Sequence, residues 1–431
     1  MNFKIIGGQK LAGTVTINRS KNAAVALLCA SLINKNKTTL KNVPKIEEVY
    51  RVIEVLESIG VKVIWSEQNI EIIPPAKLVW QKLNQEAASK TRSVILLLGP
   101  LIHHFKNFNL PHPGGCQLGA RTVRPHLYAL EKLGAKIVSQ NGYYEVNAAK
   151  LRPNEIILYE AGDTVTENAL VAAALIPGKT MIKFASANYM VQDLCHYLKL
   201  LGVKIEGIGT STLIVYGVKE INQVVDFDLS EDPIEAMLFL SLAATTGSSL
   251  IIKRCPIDFL ELELLKLEKM GFKYKITRRY KSDNGFANLV DIETKSSKLK
   301  ALEEKIHPLP YPGINIDNLP FFVPIATQAR GTTLIHDWVY ENRAIYYYEM
   351  TKLGANIILA DPHRVIIEGP TPLRATEIIC PPALRPAAII LIGMLAARGE
   401  SILRNVYSIN RGYENLVERL TKLGAKIEII K

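Results

Sequence analysis

The chain has 431 residues, 48% of them hydrophobic and 22% charged, with a formal charge of +11. That supplies apolar material for two domains with sizeable cores and excludes an intrinsically disordered chain. The positive balance suits an anionic ligand, but the Lys and Arg residues are scattered without a basic tract, so nucleic acid is not the expected partner.

The first residues, Met1-Asn2-Phe3-Lys4-Ile5-Ile6-Gly7-Gly8, lack the features of a signal peptide. Asn18-Arg19-Ser20-Lys21-Asn22 then precedes an apolar helical run over 22–33. Ser20 or Asn22 can cap that helix. Its N-terminus attracts anions through free N–H groups and the dipole, and Lys21 adds a formal charge. A capped helix with a solvated lysine is the plainer reading. A Walker loop is excluded, because no Gly-rich segment precedes Lys21.

Next, Val52-Ile53-Val55-Leu56 reads as a helix, Ile59-Gly60 as its end and Lys62-Val63-Ile64 as a strand. A Gly just past an apolar-periodic run marks a helix C-terminus, because the left-handed conformation costs Gly least. The same unit returns at Leu133-Gly134, Leu201-Gly202, Met270-Gly271, Leu353-Gly354 and Leu423-Gly424, about every 70 residues. Three copies fall before residue 230 and three after it. Two similar halves of three helix–strand units each is the simplest architecture, with a ligand site expected in the cleft between them.

Between the first and second units lies Pro111-His112-Pro113-Gly114-Gly115-Cys116-Gln117-Leu118-Gly119-Ala120-Arg121. Glycines let a backbone approach a ligand or move as a lid, and a nearby cation such as Arg121 favours the thiolate of Cys116. The commoner fate of a free cysteine is a small buried hydrophobe. Ser230-Glu231-Asp232-Pro233 opens a further helix, and Pro308-Leu309-Pro310-Tyr311-Pro312-Gly313 makes a shaped loop. Asp317 follows that loop and can act as a general base, although turn aspartates are more often structural. Arg92, Arg343, Arg385 and Arg411 stand isolated. Arginine grips phosphate and carboxylate through its fork, but any one alone reads as a surface residue. The apolar run 387–397 falls short of the ~20 residues of a membrane span and reads as a buried core helix.

Other signals are set aside. Gly207-Ile208-Gly209 lacks the third Gly of a dinucleotide fingerprint, and the eight histidines show no metal-ligand spacing. No metal and no cofactor is therefore expected. Five cysteines lie far apart with no CxxC, which points to a reducing, cytoplasmic setting.

Taken together, the motifs resemble those of the UDP-N-acetylglucosamine enolpyruvyl transferase (1-carboxyvinyltransferase) family. The opening Gly7-Gly8 with Leu11, Gly13 and Val15, and then Lys21-Asn22-Ala23-Ala24, is similar to that family's start. Pro113-Gly114-Gly115-Cys116 with Gly119-Ala120-Arg121 resembles its catalytic loop, and Glu341-Asn342-Arg343, Leu384-Arg385 and Arg411-Gly412-Tyr413-Glu414 follow in order. The resemblance implies an α/β fold of two similar domains, each an inside-out assembly of three β/α units. It places residues 22–230 in one domain and 1–21 with 231–431 in the other. It implies transfer of enolpyruvyl from phosphoenolpyruvate to the 3-hydroxyl of UDP-N-acetylglucosamine with release of phosphate, the first committed step of peptidoglycan precursor synthesis. Cys116 would deliver a proton and Asp317 would be the base. Lys21, Arg121 and Arg411 would hold phosphate, and Arg343 and Arg385 the carboxylate. Asn22 would touch the acceptor sugar and Arg92 its diphosphate. Small-molecule substrates are the implied partners, with no membrane.

Departures from the family pattern fall mostly on the nucleotide side. Arg19 stands beside Lys21, Ala383 replaces an Asp before Leu384-Arg385, and Asn410 replaces an Asp before Arg411. Arg121-Thr122-Val123-Arg124 stands where the family has Arg-Pro-Val-Asp against uridine, and Glu160 and Asp163 alter the nearby segment. Two alternatives follow: the same transfer to a different nucleotide or nucleotide sugar, and a catalytically impaired nucleotide-binding relative. Shikimate-pathway transfer shares the fold but lacks the Cys-bearing loop.

Overall fold

In the computed structural model, which describes residues 1–114 and 122–430, all six repeat glycines take positive φ, from 84° at Gly271 to 100° at Gly60. Each closes its helical segment with the same pair of backbone bonds. Gly60 N–H donates to Glu57 O and Val61 N–H to Leu56 O, and the pattern repeats through Gly424 to Thr421 and Ala425 to Leu420. This is the 6→1 closure that satisfies otherwise orphaned carbonyls, and it needs a left-handed residue. Five of the closed segments are α-helices: Glu47–Ser58, Arg124–Lys132, Tyr189–Leu200, Glu261–Lys269 and Leu416–Lys422. The fifth copy differs. There a short helix, Arg343–Tyr347, runs into a 3-10 segment, Tyr348–Leu353. Its three consecutive tyrosines have poor helix propensity.

After each glycine comes an edge strand, and each copy builds one small sheet. Among the described residues the second and fifth sheets have three strands and the other four have four, so the two halves follow one pattern. In the four-stranded sheets the extra strand joins in parallel, as Val225–Asp228 does beside Thr38–Lys41 and Ala12–Thr16 beside Ser249–Pro256. The sixth sheet is completed from the other end of the chain. Strand Asn2–Gly7 lies between Gly399–Arg404 and Lys426–Ile430, antiparallel to both.

Two compact units result. One takes Met1–Asn18 and residues 231–430, and the other residues 19–114 and 122–230. Arg19, Ser20 and Lys21 fall with the second, where Ser20 N–H bonds Ser230 O at 2.8 Å. Inside this unit lie three helices: α1 (Lys21–Ala30), α2 (Leu98–His104, led by the 3-10 turn Arg92–Leu97) and α3 (Asp163–Ala174). Inside the other lie α4 (Pro233–Thr246), α5 (Phe322–Ala326, led by Leu319–Phe321) and α6 (Leu384–Ala396). Each trio packs on itself, with the sheets outside. Residues 165–174 of α3 and 233–245 of α4 are buried without a break. A helix that is apolar all round belongs in a core, which is why the runs over 22–33 and 387–397 are not membrane spans. Among the described residues no helix is long and apolar enough to cross a membrane. Cys29, Cys195, Cys255 and Cys380 are buried free thiols. Cys116 and Arg121 lie outside the described residues.

Candidate active site

In each unit, polar residues stand at the starts of the three inner helices. Lys21 opens α1, Arg92 opens the turn into α2, and Asp163 opens α3. Asp232 caps α4, Asp317 stands just before the turn into α5, and Arg385 is the second residue of α6. Helix starts present unpaired N–H groups and positive potential, so anions are favoured there.

In the unit of residues 19–230, Ser20 caps α1, its Oγ accepting from Ala23 N at 3.1 Å. Asn22 is therefore a helical residue and not the cap. Its Nδ2 donates to the hydroxyl of Tyr189 at 3.3 Å. Tyr189 is buried at the start of its own helix, which Asn188 caps. Asn188 Nδ2 and Ser186 Oγ both donate to the Asp163 carboxylate, at 3.2 and 2.5 Å. Asp163 thus braces the loop that delivers Tyr189 to Asn22.

Arg92 is fixed by its neighbours. Thr91 and Ser93 both donate to Glu48 Oε1, at 2.8 and 3.0 Å, and Arg92 Nη2 donates to Thr122 O at 3.3 Å. A recess of about 330 Å³ opens beside it, lined among others by Arg92, His112, Arg124, Ser139 and Tyr144, with no acid among the described residues of its lining. Such a lining suits an anionic group.

The unit of residues 231–430 brings three of the expected residues together. Asp317 lies between two guanidiniums: Oδ2 accepts from Arg385 Nη2 at 3.3 Å, and Oδ1 stands 3.6 Å from Arg343 Nη1. Its loop is pinned by Glu263, a buried carboxyl whose pKa is raised by burial, and whose Oε1 takes Asn315 N–H and Asn318 Nδ2. Arg385 Nη1 donates to Tyr413 OH at 2.7 Å. Arg343 is held by Asp337 and by Ile316 O. Asp232 caps α4 through Ile234 N and Glu235 N, and burial raises its carboxyl to about 6 against the lowering pull of Arg385. Arg411 is half-buried just past a short helix, Tyr407–Asn410. Ala383 sits at the cap position of α6 and offers no side-chain hydrogen bond there. Among the described residues no cluster of His, Cys, Asp and Glu could hold a metal.

Sequence reasoning missed Asp337, Tyr347, Tyr189 and the bracing role of Asp163. Each acts through a partner distant in the chain or hidden in a turn, and neither leaves a periodic signal.

The chain matches the family described as EPSP synthase (3-phosphoshikimate 1-carboxyvinyltransferase) over residues 5–420. It is 36% identical to a UDP-N-acetylglucosamine 1-carboxyvinyltransferase of Treponema denticola, with 99% of each chain covered. It is 33% identical to the protein of the same name from Borrelia garinii subsp. bavariensis, covering 100% of this chain and 99% of that one. Among solved structures it is similar to the enolpyruvyl transferase NikO from Streptomyces tendae, with a TM-score of 0.85 at 23% identity over 99% and 98% of the two chains. It is also similar to EPSP synthase from Acinetobacter baumannii, with a TM-score of 0.77 at 19% identity over the whole of both. These two likenesses establish the inside-out two-unit fold.

Proposed function

Since this chain belongs to the UDP-N-acetylglucosamine 1-carboxyvinyltransferase family of enolpyruvyl transferases, we propose that it transfers enolpyruvyl from phosphoenolpyruvate to the 3-hydroxyl of UDP-N-acetylglucosamine. The observation that carries this reading is the convergence of Arg343 and Arg385 on the single carboxylate of Asp317. Two guanidiniums that converge on one carboxylate are built to take another from a substrate.

The reaction runs by addition and elimination. A proton goes to the methylene carbon of phosphoenolpyruvate while the acceptor oxygen bonds to its central carbon, giving a tetrahedral phospholactoyl species. Loss of phosphate and of a proton from the new methyl group restores the double bond. Cys116 supplies the first proton, and Asp317 accepts the proton of the acceptor hydroxyl. The substrate carboxylate competes for Arg343 and Arg385, which releases Asp317 for that task. Lys21, Arg121 and Arg411 hold the phosphate and stabilise its charge as it leaves. Asn22, oriented by Tyr189, meets the acceptor sugar, and Arg92 its diphosphate. The product feeds peptidoglycan precursor synthesis in the cytoplasm.

A second reading keeps the donor and changes the acceptor to another nucleotide or nucleotide sugar. The cationic recess at Arg92 and Arg124 favours it. Both readings are tested by phosphate release from phosphoenolpyruvate with each acceptor, the product mass being read in the same tube. The expected result is release with UDP-N-acetylglucosamine, an enolpyruvyl-sized mass gain, and loss of turnover in Cys116→Ala. Release with only a different nucleotide selects the second reading. No release with any acceptor overturns both.

A further inference from the structure

Arg343 is 1% exposed, yet its guanidinium is satisfied on one side only. Nε donates to Asp337 Oδ2 at 2.5 Å, and Nη2 donates to Asp337 Oδ1 at 3.1 Å and to Ile316 O at 2.7 Å. The ring of Tyr340 covers one face, its centroid 4.3 Å from the guanidinium carbon. Asp337 is itself fully buried and is fixed by a further hydrogen bond, Tyr347 OH to Oδ2 at 2.5 Å, from a tyrosine that is also fully buried. Among the described residues, buried Nη1 has no hydrogen-bond acceptor, and Asp317 Oδ1 stands beyond bonding reach at 3.6 Å.

A buried ion pair kept only for structure would have its donors matched, because an unmatched buried N–H is costly. Here the mismatch is confined to one nitrogen, and that nitrogen faces the carboxylate of Asp317. We propose that Asp337 and Tyr347 are positioning residues: they lock Arg343 so that Nη1 is presented, undersatisfied and correctly aimed, to the carboxylate of the substrate. This rests on the enolpyruvyl-transfer reading for the identity of that carboxylate. The division of labour is explicit in the geometry. Asp337 uses both oxygens on the guanidinium, so it fixes rotation in the plane of the fork. Tyr347 fixes the carboxylate that does so, and Tyr340 restrains the guanidinium against tilting out of that plane. Arg343 enters the bound state with little rotamer freedom left to lose, which is what raises affinity for a small ligand.

The test compares Tyr347→Phe, Asp337→Asn, Arg343→Lys and the Tyr347→Phe/Arg343→Lys double variant. Each is scored for melting temperature, for KM of both substrates and for kcat. Calorimetric binding of phosphoglycolate, which carries one carboxylate and one phosphate, is measured alongside. Tyr347→Phe is the mild change and is expected to fold. It should raise the KM for phosphoenolpyruvate and the Kd for phosphoglycolate by about tenfold while leaving the acceptor KM unchanged. In the Arg343→Lys background the same change should add nothing further, because a lysine cannot use the fork that Asp337 holds. Unchanged phosphoenolpyruvate KM and phosphoglycolate Kd in folded Tyr347→Phe and Asp337→Asn would overturn the proposal, as would full additivity in the double variant. So would a wild-type protein that binds no phosphoglycolate. Wild-type binding of phosphoglycolate without turnover would instead overturn the transfer reading, and the binding arm would still decide the roles of Asp337 and Tyr347.

Discussion

Glu167 sits 3% exposed on α3, and among the described residues its Oε1 accepts no hydrogen bond. Burial raises its pKa well above the usual carboxylate range, and the nearby charges of Asp163 and Asp193 push the same way. The unfolded chain therefore gives up this proton at lower pH than the folded one. Glu167 costs nothing below its unfolded pKa, and its cost grows as pH rises from there toward the folded pKa. Glu167→Gln keeps the shape and removes the ionisation. It should match wild type near pH 4.5 and exceed it in stability at pH 8, a difference that urea unfolding at the two pH values will read. A variant no more stable at pH 8 would mean that the carboxyl has found a compensating partner. Asp337 is as deeply buried but is matched by Arg343, so the analogous change there should cost affinity for the donor substrate rather than relieve strain.

At the scale of elements, the start of α1 makes the plainest prediction. Ser20→Ala removes the acceptor for Ala23 N–H and should lower the stability of its unit by about 1 kcal/mol, with Ser20→Gly losing only a few tenths. Denaturant titration of the two variants separates a cap from a packing effect. Much of this level was legible in the sequence. The glycines announced themselves because a left-handed residue must follow each helical segment, and the apolar runs over 22–33 and 387–397 announced buried helices because no polar face interrupts them. The proximity of Asp317 to Arg343 and Arg385 was implied by family motifs and not by spacing. Tyr189 reaches Asn22 across 167 positions, and Asp337 looks like any aspartate following a strand. Polar pairs of this kind are set by how elements meet in space, which local pattern does not encode. The fifth copy shows the limit in another way. Its glycine was readable, but the consecutive tyrosines at 346–348 did not disclose that the preceding segment tightens into 3-10 geometry.

For the whole molecule, acid stability should differ between the two units. His103 and His196 both belong to the unit of residues 19–230, and each has its pKa lowered from 6.5 to about 4. Burial is the main cause for both, with Lys199 adding repulsion at His196. The unfolded chain binds these protons first as pH falls. The contribution of these two histidines to stability is therefore complete above about pH 6.5 and is lost between there and pH 4. Hydrogen exchange should show Leu98–His104 and Tyr189–Leu200 losing protection over that window before Pro233–Thr246 and Leu384–Ala396 do. Equal losses in both units would show that the histidines do not govern acid unfolding.

Strand Asn2–Gly7 has a consequence for biosynthesis. It is synthesised long before its two sheet partners, Gly399–Arg404 and Lys426–Ile430. At ~5–20 residues per second the delay is on the order of tens of seconds. Residues 19–230 can complete their unit during that interval. Meanwhile Phe3 and Ile5, which are fully sheltered in the finished protein, wait in the open with both strand edges bare. The nascent chain is thus at risk of mispairing at Asn2–Gly7 until synthesis of the two partner strands releases it from that exposure.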